Sequence, residues 1–245
     1  GPGAGDSLRL HPAPAVAGFY DTPQKGWWGP PQSGLSMAMA NIEDGYGYLI
    51  ETSHASPGVS GAAFPWHGGE AHKAIMAESP VTAAFVLLIR DRGHGTVTID
   101  AAGNPVHQYP FDDELDQRIF RGGVEELVRL HEAGGANGIA TFHREIEPWT
   151  RDGGESIDDF AARVRAASLE PYDHATFSLH HMGSARMGKD PATSVANGWG
   201  ELHDTPGVWI GDASGFPTAS GTNPMLTTMA LALRTAEAIA EGKGA

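Results

Sequence analysis

Two adjacent histidines, His180 and His181, stand upstream of Gly211-Asp212, of Gly221-x-Asn223-Pro224, and of an Ala-rich stretch that begins at Met225. A single His suits general-base work at neutral pH because its ordinary pKa lies close to that range. Paired histidines also bind metals. Here the 12 histidines include no H-E-x-x-H, cysteine is absent, and adjacent residues on a strand point to opposite faces, so no metal site is expected. Asn223 is placed to cap a helix and Pro224 suits its first turn, where free N–H groups attract negative charge. Gly211-Asp212 closes the apolar stretch 207–210, the position where open α/β sheets bind ligands, and an Asp there can hold a ribityl or ribose hydroxyl. Each residue also has a plainer role: a hydrogen-bonded structural His, an Asp closing a turn, an Asn-Pro that only starts a core helix.

Such side chains need elements to carry them. Residues 207–210 read as a strand, followed by a sharp glycine turn, a loop, and a helix from Met225 to about Glu241. Upstream, residues 15–20, 46–51 and 81–89 read as strands, the last nearly all apolar and so central. Residues 96–100 alternate at period two and, with 106–109, form a hairpin around Gly103-Asn104-Pro105. From Asp112 the spacing of Leu115, Ile119, Leu127 and Leu130 becomes helical, with Gly134-Gly135 as the stop and Gly122-Gly123 as a place for a bend. A second helix starts at Ser156, with Asp159 completing a capping box and Ile157, Phe160, Ala161 and Val164 on one face. The middle of the chain is therefore expected to be an antiparallel sheet with helices packed on one side.

Composition narrows the function classes. Among 245 residues, 16 Lys+Arg against 30 Asp+Glu leave a net charge of −14, which repels phosphate backbones and anionic headgroups. Nucleic acid is excluded as an expected partner. The absence of cysteine removes disulfides and thiolate chemistry. The longest apolar run, 81–89, is half of a membrane span, and the N-terminus has no apolar leader, so a soluble chain is expected, with the cytoplasm as the favoured compartment. The start, Gly1-Pro2-Gly3-Ala4-Gly5, reads as the inside of a loop.

One combination of motifs resembles a known family. The run His180-x-Met182-Gly183-Ser184-x-Arg186-Met187-Gly188, then Asp190-Pro191, Ser194-Val195, Val208-x-Ile210-Gly211-Asp212-Ala213-Ser214-x-Phe216-Pro217 and Gly221-x-Asn223-Pro224-x-Leu226-Thr227, is similar to the C-terminal signature of glucose-methanol-choline (GMC) flavin oxidoreductases. Leu8-Arg9-Leu10-His11-Pro12 resembles a mid-chain segment of that family, and with Gly47-Tyr48-Leu49-Ile50-Glu51 it leans toward the long-chain alcohol oxidase branch.

The resemblance implies an α+β chain: an antiparallel sheet substrate domain with helices at 17–175, after an entry segment at 1–16. Residues 176–245 would then be the C-terminal part of an FAD-binding, Rossmann-like α/β domain whose N-terminal part is absent. It further implies FAD as cofactor, a small-molecule alcohol as substrate, His180 as the base for the hydroxyl proton, and Asn223 as its partner on the alcohol oxygen. His181 stays open as the base if the strand is turned over. Gly211, Asp212, Asn223, Pro224 and Met225 would contact the flavin, with the helix N-terminus aimed at its electron-rich edge. No G-x-G-x-x-G occurs in the sequence, so an N-terminal FAD-binding polypeptide of the same enzyme is the expected partner. A GMC-fold lyase or photoenzyme, or a non-catalytic subunit, are the competing readings.

Overall fold

The computed structural model describes residues 3–243, so the Gly1-Pro2 start lies outside it. The chain divides into two compact units, each drawn from separate stretches of sequence. The larger contains residues 12–89 and 117–177, and the other contains the N-terminal residues through His11, 90–116 and the C-terminal stretch from Ser178.

The larger unit is built on a seven-stranded antiparallel sheet. Its strands are β1 (Ala13–Phe19), β2 (Leu35–Ser36), β3 (Tyr48–Thr52) and β4 (Thr82–Ile89). The remaining sheet strands lie at residues 138–141, 149–150 and 176–177. β1 is central, pairing with β4 through Val16↔Phe85 and with the 138–141 strand through Ala17↔Ala140. The side chains of β1 alternate between the two faces. Ala15 and Ala17 share a buried cluster with Ala63, Phe64, Ala140 and Phe142, while a Cβ on Gly18 would stand 2.3 Å from His131 Nδ1. Helices therefore cover both faces, not one as the sequence suggests. The additional cover is α1 (Pro57–Ala63) and α2 (Gly69–Ala77), short, glycine-containing segments with little helical periodicity of their own.

The long helix α3 (Glu114–Ala133) runs unbroken through Gly122-Gly123. Gly123 reflects close packing instead of a break, since a Cβ there would lie 2.4 Å from Leu87 Cδ1. α4 (Ile157–Ala166) starts as the sequence indicates: Asp159 N–H donates to Ser156 Oγ at 3.1 Å, and Phe160, Ala161 and Val164 are buried.

The smaller unit carries the expected hairpin, β5 (Thr96–Ile99) with β6 (Pro105–Gln108), and the C-terminal helix α5 (Met225–Ala240). The last three strands of the larger unit, in chain order, are β7 (Gly138–Thr141), β8 (Trp149–Thr150) and β9 (Thr176–Phe177). Residues 207–210 do not form the expected strand. They make one isolated bridge, Glu201↔Trp209, with Leu202 N–H donating to Val208 O and Ile210 N–H to Gly200 O. A ladder on one short edge is too little to register as a strand, and Val208 stays exposed. Among the described residues no helix is long and apolar enough to cross a membrane.

Candidate active site

The motif residues gather in the smaller unit, tied together by backbone hydrogen bonds. Gly183 N–H donates to Ala213 O at 3.1 Å, Ala185 N–H to Ser214 O at 2.9 Å and Met187 N–H to Gly215 O at 2.9 Å. The stretch after His180 is thereby laced to the turn after Asp212. On its other side, Arg9 and Met182 exchange backbone bonds at 2.8 and 3.1 Å, and Gly5 N–H donates to Ser184 O at 2.7 Å. Gly183 permits this: its φ is +82°, and a Cβ would lie 2.6 Å from Ser7 O.

His180 is half-buried, and its Nδ1 lies 2.9 Å from Nδ1 of His11, with the ring centroids 5.0 Å apart. One of these nitrogens donates to the other. Burial lowers the pKa of His180, and neighbouring His181 lowers it further. Both effects favour the neutral ring, the form able to accept a proton. His181 is exposed. His11 is completely buried, and burial together with His180 brings its pKa down to about 4.

His11 has its own support. Asp91, fully buried, accepts the backbone N–H of Leu10 at 2.9 Å and of His11 at 3.1 Å, and the Tyr109 hydroxyl at 2.8 Å. Burial raises the Asp91 pKa, against the pull of those hydrogen bonds, and burial beside Asp91 raises that of Tyr109. The residue preceding Asp91 serves the other half of the site: Arg90 Nε donates to Ala219 O at 3.2 Å, and a Cβ on Gly221 would lie 3.0 Å from Arg90 Cδ. Arg90-Asp91 therefore anchors both the segment that carries His11 and the loop leading to Asn223. His11 and Asp91 were not singled out by type or spacing; the one sequence signal was the Leu8–Pro12 segment that shares the family pattern.

Asn223 is half-buried in the turn before α5. It does not occupy the capping position. Pro224, with φ −88° and ψ −2°, takes that place, and no side chain caps the helix. The first turn holds no acidic residue, and Met225 and Leu226 are exposed. Gly211 and Asp212 are exposed too; Ser214 N–H donates to Asp212 Oδ1 at 2.8 Å, and the other carboxylate oxygen is unengaged among the described residues. An uncapped helix N-terminus with free N–H groups and a carboxylate oxygen to spare fits the flavin that the resemblance implies: an electron-rich ring edge at the first, a ligand hydroxyl at the second. Among the described residues no cluster of His, Asp or Glu could hold a metal.

A family model described as GMC oxidoreductase matches residues 91–232. A long-chain-alcohol oxidase of Arabidopsis thaliana is 29% identical over 242 residues, covering 93% of this chain and 32% of the relative. Paromamine 6'-oxidase of Streptomyces fradiae is 49% identical over 142 residues, covering 53% of this chain and 26% of the relative. Among solved structures, a formate oxidase of Aspergillus oryzae studied for its FAD modification aligns with a TM-score of 0.65 at 15% identity, over 98% of this chain and 48% of that one. The chain thus spans about a third of the length of the long-chain-alcohol oxidase and about half of the solved one.

Proposed function

The chain belongs to the GMC oxidoreductase family, whose cofactor is FAD, and from that premise we propose that it supplies the proton-accepting and substrate-orienting residues of an enzyme that oxidises an alcohol to an aldehyde or ketone. The observation that carries the proposal is the setting of His180: one ring nitrogen is committed to His11, the other has no partner among the described residues, and burial favours the neutral ring. His180 accepts the hydroxyl proton of the substrate, while Asn223 holds the alcohol oxygen. FAD, when bound, would supply the acceptor for the hydride of the carbinol carbon. Proton and hydride leave the alcohol together as its C–O bond becomes a carbonyl, so the electrons balance. Gly211, Asp212, Asn223, Pro224 and Met225 would hold the flavin, and the free N–H groups at the α5 N-terminus would favour negative charge there.

A flavin-binding portion outside this sequence completes the site as its partner. Two observations support that part of the proposal: the sequence contains no G-x-G-x-x-G, and α5 exposes Met225, Leu226, Met229 and Leu233, an apolar stripe at helical spacing. The test is anaerobic mixing of the assembled flavoprotein with primary alcohols, including long-chain alcohols and paromamine, the compounds named for its relatives. Bleaching of the flavin in the dark by one of these alcohols supports alcohol oxidation. No bleaching with any of them, with FAD bound, favours the lyase or photoenzyme reading. Tight stoichiometric FAD binding by the chain alone removes the need for the partner.

A further inference from the structure

We propose that His11 is a positioning residue that holds His180 in the tautomer a base requires: His180 Nδ1–H donates to His11 Nδ1, leaving the lone pair on His180 Nε2 for the substrate proton. This rests on the reading of His180 as the base. A neutral imidazole carries one N–H, so the direction of the 2.9 Å bond between the two Nδ1 atoms decides what His180 can do. If His11 donated, the proton of His180 would sit on Nε2, and that nitrogen would offer a hydrogen bond where catalysis needs an acceptor. With His180 donating, the same bond serves before and after proton uptake. The imidazolium keeps Nδ1–H on His11, and its positive charge gains an acceptor; no proton need pass to His11.

The surroundings show that His11 is held for this contact. It is fully buried, and its Nε2, which carries the His11 proton when His180 donates, has no hydrogen-bond partner among the described residues, so the contact with His180 is the one hydrogen bond its ring makes there. Its φ of +52° lies in the left-handed region that non-glycine residues seldom adopt. The conformation is kept by the paired backbone bonds of Leu10 and His11 to Asp91, which is fixed in turn by Tyr109. Burial keeps the His11 ring uncharged, with its pKa near 4, so it remains available as an acceptor throughout the neutral range. The groups facing the pair within this unit are thus Asp91, through the His11 backbone, and His181, beside His180.

The test uses the assembled flavoprotein and three variants. His11→Phe keeps the ring volume without an acceptor, His11→Asn places an amide oxygen near the position of Nδ1, and His180→Ala removes the proposed base. His11→Phe is expected to lower kcat by at least about tenfold with little change in KM, and to move the acid limb of the rate profile to lower pH, because the imidazolium loses its acceptor. His11→Asn is expected to restore most of both. Nitrogen-15 spectra of histidine-labelled enzyme supply a readout apart from activity: His180 is expected as the Nδ1–H tautomer in the wild type and as a mixture in His11→Phe. Should His11→Phe not fold, His11→Gln, whose amide oxygen reaches the place of Nε2, should behave as the impaired variant while His11→Asn remains active. Wild-type kcat and pH profile in His11→Phe, or an Nε2–H tautomer for His180 in the wild type, overturn the proposal. An unimpaired His180→Ala overturns instead the reading of the base on which it rests.

Discussion

The buried histidines of the two units, His131 and His143 in one and His11 in the other, are held in different ways. In the sheet unit, His131 is fully buried with both ring nitrogens bonded, Nε2 to Val16 O at 3.0 Å and Nδ1 with the Tyr20 hydroxyl at 2.8 Å. His143 is likewise committed at both nitrogens, to Ser168 O and to the Glu145 N–H. In the site unit, His11 and His180 share one bond and each keeps a nitrogen without a partner among the described residues. A histidine with both nitrogens bonded is scaffold; a spare nitrogen is needed for proton transfer but does not by itself confer it, since His174 of the sheet unit also leaves its Nε2 without a partner among the described residues. Burial alone does not separate the two classes, since His131 and His11 both have pKa values lowered to about 4.

Exchanging the perturbation between the units gives the largest contrast. His180→Ala should cost about 10²- to 10⁴-fold in kcat with an unchanged melting temperature. His131→Ala should reverse the pattern, lowering stability by about 3 kcal/mol through the lost hydrogen bonds and the cavity, with kcat per folded molecule retained. Calorimetry and steady-state rates on the same preparations decide it; equal effects of both variants on both readouts would erase the distinction.

Acid should expose the scaffold histidine next. Its folded pKa of about 4 lies below the unfolded 6.5, so between those values the unfolded chain binds the extra proton. Stability is therefore full above about pH 6.5 and falls as pH drops toward 4, by up to about 3 kcal/mol for such a group. Denaturant midpoints across this range should fall less steeply in His131→Gln; an identical slope would show that His131 is not the group titrating.

Gly18→Ala should follow, costing about 1–3 kcal/mol because the new Cβ meets the His131 ring. The smallest effect belongs to the α4 cap, where Ser156→Ala should cost about 1 kcal/mol and leave the flavin site untouched. A larger loss of stability than that from His131→Ala would mean that α4 carries more of the sheet unit than its capping bond implies.

Features whose causes are local were legible in the sequence. The Ser156-Asp159 cap, the apolar run of β4, the β5–β6 hairpin and the stop at Gly134 each depend on residues within a turn or a strand length. α1 and α2 were not visible, because Gly58, Gly61 and Gly69 dilute their helical pattern and packing on the sheet holds them. Residues 207–210 read as a strand on their apolarity alone, but a strand also needs neighbours to pair with. The motif around His180 was recognisable by resemblance, whereas its contact with His11 joins residues 169 apart and leaves no periodic trace. The interleaving of the two units has the same character: no composition change at 11–12, 89–90 or 116–117 announces it.

The most direct test of His180 as the proton acceptor is a single anaerobic turnover of the flavin-loaded enzyme with its alcohol, recorded against pH for the wild type and for His180→Asn. Flavin reduction in the wild type should slow on acidification as His180 becomes protonated, and in the variant it should be at least about 100-fold slower and lack that dependence. A His180→Asn enzyme that reduces its flavin at the wild-type rate with the same acid limb would contradict the account.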